Sequence, residues 1–405
     1  DLYAATLADF SYDLKVTDQG AWYLEVQGFA HKFDRVLRSV CKGIRSLADG
    51  GAHGGCDELT LKRVLTQFEL GFRNAGYDPS NLAITERLRC LLPDWISPEE
   101  KLAVLPEITT QMLSAHVAGL LSQGVRLVAY VGGNIARQEA LDLLSIARST
   151  IGAPAMLDVP AMSSCAMLQH AHSVHNVLGK NPADQNSAID LYWQLGPENP
   201  TEEGKVALLE HLMYEPLFDA LRTKQQIGYT VSCSERNTRG VLGFLISIVS
   251  ATHTPQDVEV RALEFLKTFT AGLHSMKPSD YAANVDAAIA NELIADKSIN
   301  DEAERYWSEI DTRQYRFKRA QEKSAAMREI AQAEFARWAE DVLLSNTAKR
   351  LSVVVNAHVG PAAADNNLTG WEQQSGAVAI QDPAEYKAML ELHVSSEQPL
   401  PMISE

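Results

Sequence analysis

The sequence has 405 residues, of which 46% are hydrophobic and 22% are charged, and its formal net charge at pH 7 is −16. The apolar content can form the cores of two domains, whereas the acidic balance excludes a protein that binds nucleic acid through a basic surface. The five cysteines are scattered without a C-x-x-C pair, as is typical of a reducing compartment, and no apolar run reaches the roughly 18 residues of a membrane span. We therefore expect a cytoplasmic protein that binds neither nucleic acid nor membrane.

The predicted elements begin with a hairpin. Residues 1–10 have the pattern of a helix end, and apolar residues then alternate over 12–16 and again over 22–26, on either side of a polar turn at 17–20. A long helical region follows and leads to an apolar strand predicted over 125–131. The first half of the chain therefore combines a hairpin, several helices and one further strand.

The second half has the same order of elements. An amphipathic helix over 206–221 precedes a strand from Tyr229, a polar turn at 235–240 and an apolar strand over 241–249. The remaining predicted elements of this half are two lead-in strands at 156–159 and 188–195, helices at 280–297, 301–321 and 333–344, a strand at 351–355 and a loop at 360–376.

The spacing of these elements indicates a duplicated unit. Residue 125 lies 105 positions after Gly20, and residue 351 lies 111 positions after Gly240. We therefore predict an α+β fold of two homologous domains, each a mainly antiparallel sheet packed with several helices. The first copy has no lead-in strands, so we expect it to be truncated at its amino-terminal end by roughly 60 residues.

A domain boundary is predicted where the two copies meet. A helix over 136–148 ends in a breaker-rich stretch at 149–154. The predicted domains are therefore residues 1–152, a partial first domain, and residues 153–405, a complete second domain with a tail.

The most specific functional motif is Arg222-Thr223-Lys224-Gln225-Gln226-Ile227-Gly228-Tyr229. The helical pattern places Arg222 in the last turn of a helix, Gly228 is predicted to close that helix, and Tyr229 opens the next strand. Two long side chains with polar ends therefore converge beside one loop. A structural reading stays open as well, since an arginine complements a helix carboxyl end and a tyrosine at the start of a strand often packs with a solvated hydroxyl.

Metal and histidine motifs are weaker candidates. A catalytic zinc needs several ligands and a carboxylate base, but the segment that ends in Glu210-His211 has Ala207 where a first histidine would stand. His170, His172 and His175 form a cluster without a neighbouring carboxylate in the sequence, which favours a structural role. No metal site is predicted in this chain.

A phosphate-binding loop and a serine nucleophile are also disfavoured. Gly132-Gly133-Asn134 is too short for a dinucleotide or Walker loop, and we interpret Asn134 as a helix N-cap. The sequence has no G-x-S-x-G motif, and no cysteine has a local catalytic signature.

The sequence resembles the carboxy-terminal half of the insulysin branch of the pitrilysin family of zinc peptidases. The resemblance is carried by Glu215-Pro216-Leu217-Phe218 together with the 221–229 motif, and the other matching segments support it. These segments are residues 3–8, 11–14, 133–135, 174–176, 306–310, 314–317 and 382–387. The sequence departs from the family pattern at Gln225, where close relatives often have glutamate.

The resemblance implies one half of a peptidase. Members of the family enclose peptides between two homologous halves, and the amino-terminal half holds zinc through an H-x-x-E-H motif that this chain lacks. By matching position, Arg222 and Tyr229 would reach the substrate near that zinc, where they would support the transition state. The resemblance thus implies a substrate-binding, chamber-forming portion that is inactive alone, with peptides and the amino-terminal catalytic half of the same polypeptide as partners.

The sequence leaves one alternative open and also predicts an exposed apolar surface. The alternative is a non-catalytic peptide-binding or scaffold subunit, related to the core subunits of processing peptidases and respiratory complexes. A truncated domain exposes core surface, so a homodimer of this chain is possible.

Overall fold

The computed structural model describes residues 10–17, 20–50, 55–156, 161–363 and 376–398. Helices and mixed sheets alternate along these segments, which confirms the predicted α+β class. The expected helix end at residues 1–10 and the lead-in strand at 156–159 lie almost entirely outside the described residues.

The first part of the chain is a hairpin followed by helices. Strands β1 and β2 are antiparallel, with Tyr12 opposite Val26 and Leu14 opposite Leu24, which confirms the predicted hairpin. The elements are β1 (Ser11–Val16), β2 (Trp22–Gln27), α1 (Phe33–Ala48), α2 (Glu58–Asn74), α3 (Pro79–Leu91), α4 (Pro98–Val104), α5 (Thr110–Ser122) and α6 (Arg137–Ile151). A small core forms where Leu24 and Val26 pack on Val36 and Val40 of α1.

The second part is built on a six-stranded sheet. Its strands are β4 (His172–Leu178), β5 (Ser187–Pro197), β6 (Thr230–Thr238), β7 (Val241–Ser250), β8 (Arg350–Asn356) and β9 (Val378–Ile380), in the order β6-β7-β5-β8-β4-β9. The first three pairs in this order are antiparallel and the last two are parallel. Separately, β3 (Ser164–Met167) pairs with β10 (Glu391–Val394).

Helices cover both faces of this sheet. The helices that follow β5 are α7 (Pro200–Leu217), α8 (Pro255–Ser275), α9 (Pro278–Glu292), α10 (Ile299–Asp311), α11 (Arg319–Glu329), α12 (Gln332–Leu344) and α13 (Pro383–Ala388). On one face Leu191, Trp193 and Phe244 of the sheet pack into a large core with α7, α8, α9 and α12. On the other face Tyr192, Leu245 and residues of β8 pack with α3 and α13.

Helix α3 therefore packs beneath the sheet of the second part, although it belongs to the first part in sequence. Two buried polar contacts join α3 to that sheet. Arg87 Nε donates to Asp190 Oδ2 at 3.1 Å, and Glu86 Oε2 lies 2.8 Å from His175 Nε2. Burial raises the pKa of Asp190 despite the opposing charge of Arg87.

Several elements of the two parts follow each other at an interval close to 220 residues. α3 spans positions 79 to 91 and α10 spans 299 to 311, so both ends differ by 220. The same interval relates the first residue of α2 at 58 to that of α9 at 278, and Gly20 to Gly240 in the two hairpin turns. The order of elements is thus repeated at the level of individual helices.

Four predicted details outside the 222–229 motif were wrong. The strand expected over 125–131 does not form, because only Val125 pairs, through a single bridge to Ala155, and the residues after it have no strand partner in the described part of the chain. The helix expected over 301–321 breaks into α10 and α11, because Arg313 and Tyr315 adopt left-handed conformations, with φ of 53° and 51°.

The other two corrections concern turns and caps. The turn expected over 235–240 is shorter, since β6 continues to Thr238 and only Arg239 and Gly240, with φ of 52° and 82°, form the two-residue hairpin loop. Asn134 is not a helix cap: α6 begins at Arg137, and the Ala136 amide instead donates to the side chain of Glu139.

Candidate functional site

The 222–229 motif lies where α7 gives way to a π-helix. α7 runs to Leu217, and a π-helical stretch continues it over Phe218–Lys224. Pro216, near the end of α7, has no amide hydrogen and cannot make the regular helical bond to the carbonyl four residues earlier. A π-helical turn places residues on the helix surface differently from an α-helix and is frequent at functional sites. Arg222 projects from this turn.

The loop after the π-helix is held by the buried residue Ile227. The Ile227 amide donates to Leu221 O at 3.0 Å, and the hydroxyl of Ser250 donates to Ile227 O. The left-handed residue that ends the helical path is Gln226, with φ of 52°, so the prediction that Gly228 closes the helix was wrong. Gly228 is needed for a different reason, because a Cβ there would overlap the carbonyl of Val249 on β7.

Arg222 is stacked between two aromatic rings. Its guanidinium carbon lies 4.6 Å from the centre of the Phe218 ring and 4.7 Å from the centre of the Tyr229 ring. This geometry is that of a cation–π sandwich. The structure therefore brings Arg222 and Tyr229 into direct contact, as the motif predicts, and it adds Phe218 as the second aromatic partner.

The polar ends of this pair face outward. The side chain of Tyr229 is 83% exposed and Arg222 is half-buried. Within the described residues, no carboxylate pairs with Arg222, whereas the neighbouring Lys224 pairs with Asp219 at 2.7 Å. The guanidinium and the phenol are thus two adjacent hydrogen-bond donors that remain available to a ligand.

Gln225, which differs from the glutamate of close relatives, makes a hydrogen bond to a neighbouring helix. Gln225 Oε1 accepts from Arg261 of α8 at 3.2 Å, and Arg261 also pairs with Asp257 at 2.9 Å. An amide oxygen therefore serves as the acceptor for Arg261 at this position. The contact joins the loop to α8 without involving Arg222 or Tyr229.

Of the three histidines in the cluster, His172 and His175 are engaged in packing, whereas His170 is exposed. His175 is buried between Glu86 and the carbonyl of Ile380. His172 Nδ1 accepts from Arg350 at 3.1 Å, because arginine can only donate, and Nε2 lies 3.0 Å from Ser352 Oγ. Burial and the charge of Arg350 lower the pKa of His172 to about 3, so the ring is neutral at pH 7.

The described residues contain no group of three histidine, cysteine or carboxylate side chains that could hold a metal ion. His211 lies half-buried on α7, one turn after Ala207. No helix of the described part is long and apolar enough to cross a membrane.

Comparison with known proteins identifies the class first. A family model described as "PQQ synthase PqqF-like, C-terminal lobe domain 4" matches residues 208–307. Among solved structures, pitrilysin matches with a TM-score of 0.79 at 16% identity, over 98% of this chain and 41% of that one. A peptidase M16 inactive domain from Pseudomonas fluorescens matches with a TM-score of 0.62 at 14% identity, over 90% of this chain and 86% of that one. The fold is therefore that of the matching part of pitrilysin.

Sequence similarity then gives the particular relatives. A nardilysin-like protein of Arabidopsis thaliana is 25% identical over 97% of this chain and 38% of its own length. Human insulin-degrading enzyme is 25% identical over 87% of this chain and 34% of its own length. The chain spans about a third of the length of these relatives. The chain is similar to the carboxy-terminal part of insulysin-like peptidases, which confirms the resemblance.

Sequence reasoning missed Phe218 as a partner of Arg222. The residue was part of the matching motif, and it lies four positions before Arg222 in the helical stretch. In a regular α-helix, residues four apart are also neighbours, so the spacing of Phe218 and Arg222 was an available signal.

Proposed function

We propose that this chain is the substrate-contacting, non-catalytic half of a zinc metalloendopeptidase. The observation that carries the proposal is the exposed Arg222–Tyr229 pair, in which two donors lie side by side on a loop fixed by buried contacts. Homology to nardilysin and insulin-degrading enzyme supports the same assignment. In this proposal the zinc is held by residues outside the 405 of this chain, in an amino-terminal catalytic half of the same polypeptide.

The pair would act on the scissile carbonyl of a peptide. A guanidinium and a phenol both donate hydrogen bonds, and such donors help most when the carbonyl oxygen gains negative charge in the transition state. Stacking between Phe218 and Tyr229 restricts the guanidinium and reduces the reorganisation needed on binding. Arg222 and Tyr229 would thus assist a reaction whose water and metal are supplied by the other half.

The location of the protein remains a prediction. Scattered free cysteines favour a reducing compartment such as the cytoplasm. One structural neighbour, PqqL of Escherichia coli, is described as a periplasmic protease, so the fold does not select a compartment.

Kinetics of the full-length protein test the proposed site. We expect Arg222→Ala and Tyr229→Phe each to lower turnover of a quenched peptide by about 10- to 1000-fold, because each removes one transition-state donor. Lys224→Met is the matched control for the loss of a positive charge. Tyr12→Phe is the matched control for the loss of a phenol hydroxyl. Both residues are exposed and lie outside the Arg222–Tyr229 pair.

Folding must be unchanged for this test to be informative. Tyr229 is 83% exposed, so its replacement by phenylalanine should alter the free energy of unfolding by no more than about 0.5 kcal/mol. Wild-type turnover in both the Arg222 and Tyr229 variants would refute the proposed role and return the pair to a structural one.

A further inference from the structure

The loop between Arg222 and Tyr229 is held by a neighbouring segment of the chain. We name residues 225–228 the pair loop. β7 ends at Ser250 and α8 begins five residues later, at Pro255. Two contacts join this segment to the pair loop, one buried at the end of β7 and one at the surface of α8.

The buried contact is made by the hydroxyl of Ser250, which is 2% exposed. The hydroxyl donates to Ile227 O in the pair loop, and it accepts from the amides of Thr252 at 3.2 Å and His253 at 3.0 Å. A serine hydroxyl has one proton to donate and two acceptor positions. Every hydrogen-bonding position of Ser250 is therefore used, and the pair loop is fixed to the turn that begins α8.

The surface contact is made by Arg261 of α8. Its Nη1 donates to Gln225 Oε1 at 3.2 Å, and its Nε donates to Asp257 Oδ2 at 2.9 Å. The guanidinium is planar, so the bond to Asp257, one turn earlier on the same helix, also orients the bond to Gln225. The Gln225 amide in turn donates to Ala220 O at 3.2 Å. Arg261 thus links α8 to the end of the π-helix.

These contacts bear on the pair because Tyr229 has little packing of its own. Its side chain is 83% exposed, so the core does not fix the ring. Gly228, the residue before it, approaches the carbonyl of Val249 so closely that a Cβ would overlap it. The backbone of the pair loop therefore sets the position of Tyr229, and with it the 4.7 Å stack on Arg222.

We propose that Ser250 and Arg261 are positioning residues, which act through the pair loop to hold the donors of Arg222 and Tyr229 at their spacing. This proposal rests on the proposed function of the pair and adds that its geometry depends on α8. Donors that are already in place require less reorganisation when they bind a transition state. Position 225 then has to supply an acceptor for Arg261, which glutamine does and glutamate would do.

Hydrogen exchange tests the contacts without a readout of peptidase activity. The Ile227 amide donates to Leu221 O at 3.0 Å, so its exchange reports opening of the pair loop. In the 405-residue chain we expect this amide to exchange about 5-fold faster in Arg261→Met, because one hydrogen bond is lost. Ser250→Ala should increase its exchange by at least about 10-fold, because a buried hydroxyl with three bonds is removed.

Two variants on α8 are the matched controls. Lys267→Met removes a positive charge from an exposed position of the same helix. Ser275→Ala removes a hydroxyl that bonds only carbonyls of its own helix, at the far end. Both should leave exchange of the Ile227 amide unchanged. Unchanged exchange in Arg261→Met as well would overturn the proposal, since this surface substitution leaves the core intact.

Kinetics of the full-length protein test the positioning role. Arg261→Met should lower kcat about 10-fold and leave KM within about 2-fold, because the misplaced donors act on the transition state. Gln225→Met removes the acceptor and should have the same effect, whereas Gln225→Glu keeps an acceptor and should keep the wild-type kcat. The double variant Arg261→Met/Gln225→Met should lose no more than either single variant, since both remove the same contact.

The outcomes separate this proposal from the proposed function. Faster exchange of the Ile227 amide together with a wild-type kcat in Arg261→Met would overturn the positioning role. Wild-type turnover in Arg222→Ala and Tyr229→Phe would instead refute the proposed function of the pair. Exchange in Arg261→Met would still decide, independently of that result, whether α8 holds the pair loop.

Discussion

The two hairpins of this protein have similar sequences of apolar alternation but very different surroundings. Phe244 and Leu242 of β7 are fully or almost fully buried, at 0% and 5% exposure. Their counterparts 220 positions earlier are Leu24, which is half-buried, and Trp22, which is 40% exposed. Alternation is sufficient to form a hairpin, but burial of its apolar face depends on the neighbouring strand and helices.

The two parts of the chain also differ in the candidate site, which only the second part carries. Arg222 and Tyr229 lie at the junction of α7 and β6, whereas residues 1–10, which precede β1, contain no arginine. Duplication has therefore produced two similar frameworks, of which one carries the paired donors. This asymmetry is what the proposed function requires of a half that contacts substrate.

The largest difference in stability is expected between substitutions of Phe244 and of its counterpart Leu24. Phe244→Ala removes a fully buried ring from the main core and should destabilise the chain by about 3–5 kcal/mol. Leu24→Ala, the counterpart, should cost only about 1 kcal/mol, because Leu24 is already partly solvated. Urea unfolding of the 405-residue chain measures both. Equal costs would show that the two hairpins have the same surroundings, contrary to the comparison.

The next largest effect on stability is expected at α3, the helix of the first part that packs beneath the sheet of the second part. Arg87→Met leaves the carboxylate of Asp190 buried without its cation and should destabilise the chain by about 3 kcal/mol. Arg89→Met is the control, since Arg89 is more exposed and lies 3.4 Å from Glu86. Thermal unfolding of both variants is the measurement. A wild-type unfolding midpoint for Arg87→Met would mean that α3 does not dock there.

A smaller effect on stability is expected when the pH is lowered, because of His172 in the second part. The pKa of His172 is about 3 in the folded protein and about 6.5 in the unfolded chain. The unfolded state therefore takes up a proton first, so stability is complete above pH 6.5 and falls as the pH decreases toward 3. The loss should reach about 2 kcal/mol at pH 5.

Two substitutions test whether His172 causes this loss of stability at low pH. His172→Gln should remove the loss between pH 6.5 and 5, whereas His170→Gln, at an exposed neighbouring position, should retain it. The carboxylate of this cluster is Glu259, which accepts from Ser352 at 2.8 Å. A slope that persists in His172→Gln would contradict the assignment of this pH dependence to His172.

Much of the fold could be predicted because its determinants are local. Alternating apolar residues predicted both hairpins, and the three-and-four spacing predicted α6, α7 and α12. The failures arose where the outcome depends on partners distant in sequence. The pattern over 125–131 is that of a strand, but a strand needs a neighbour with which to pair, and only Val125 has one among the described residues.

The candidate site was predictable in its residues and not in its geometry. Spacing and resemblance placed Arg222 and Tyr229 on either side of one loop. Their stacking depends on the π-helix after Pro216 and on the left-handed Gln226, and neither has a reliable sequence pattern. Gly228 was assigned the wrong role for the same reason, since its close approach to Val249 is a contact between elements of the folded sheet.

Peptide cleavage by the purified 405-residue chain tests the central claim most directly. The claim is that this chain contributes substrate-contacting donors and that the zinc site lies elsewhere. We predict no cleavage of a quenched peptide above background, with or without added zinc, because the described residues contain no cluster that could hold the metal. Robust cleavage that a chelator abolishes would contradict the claim.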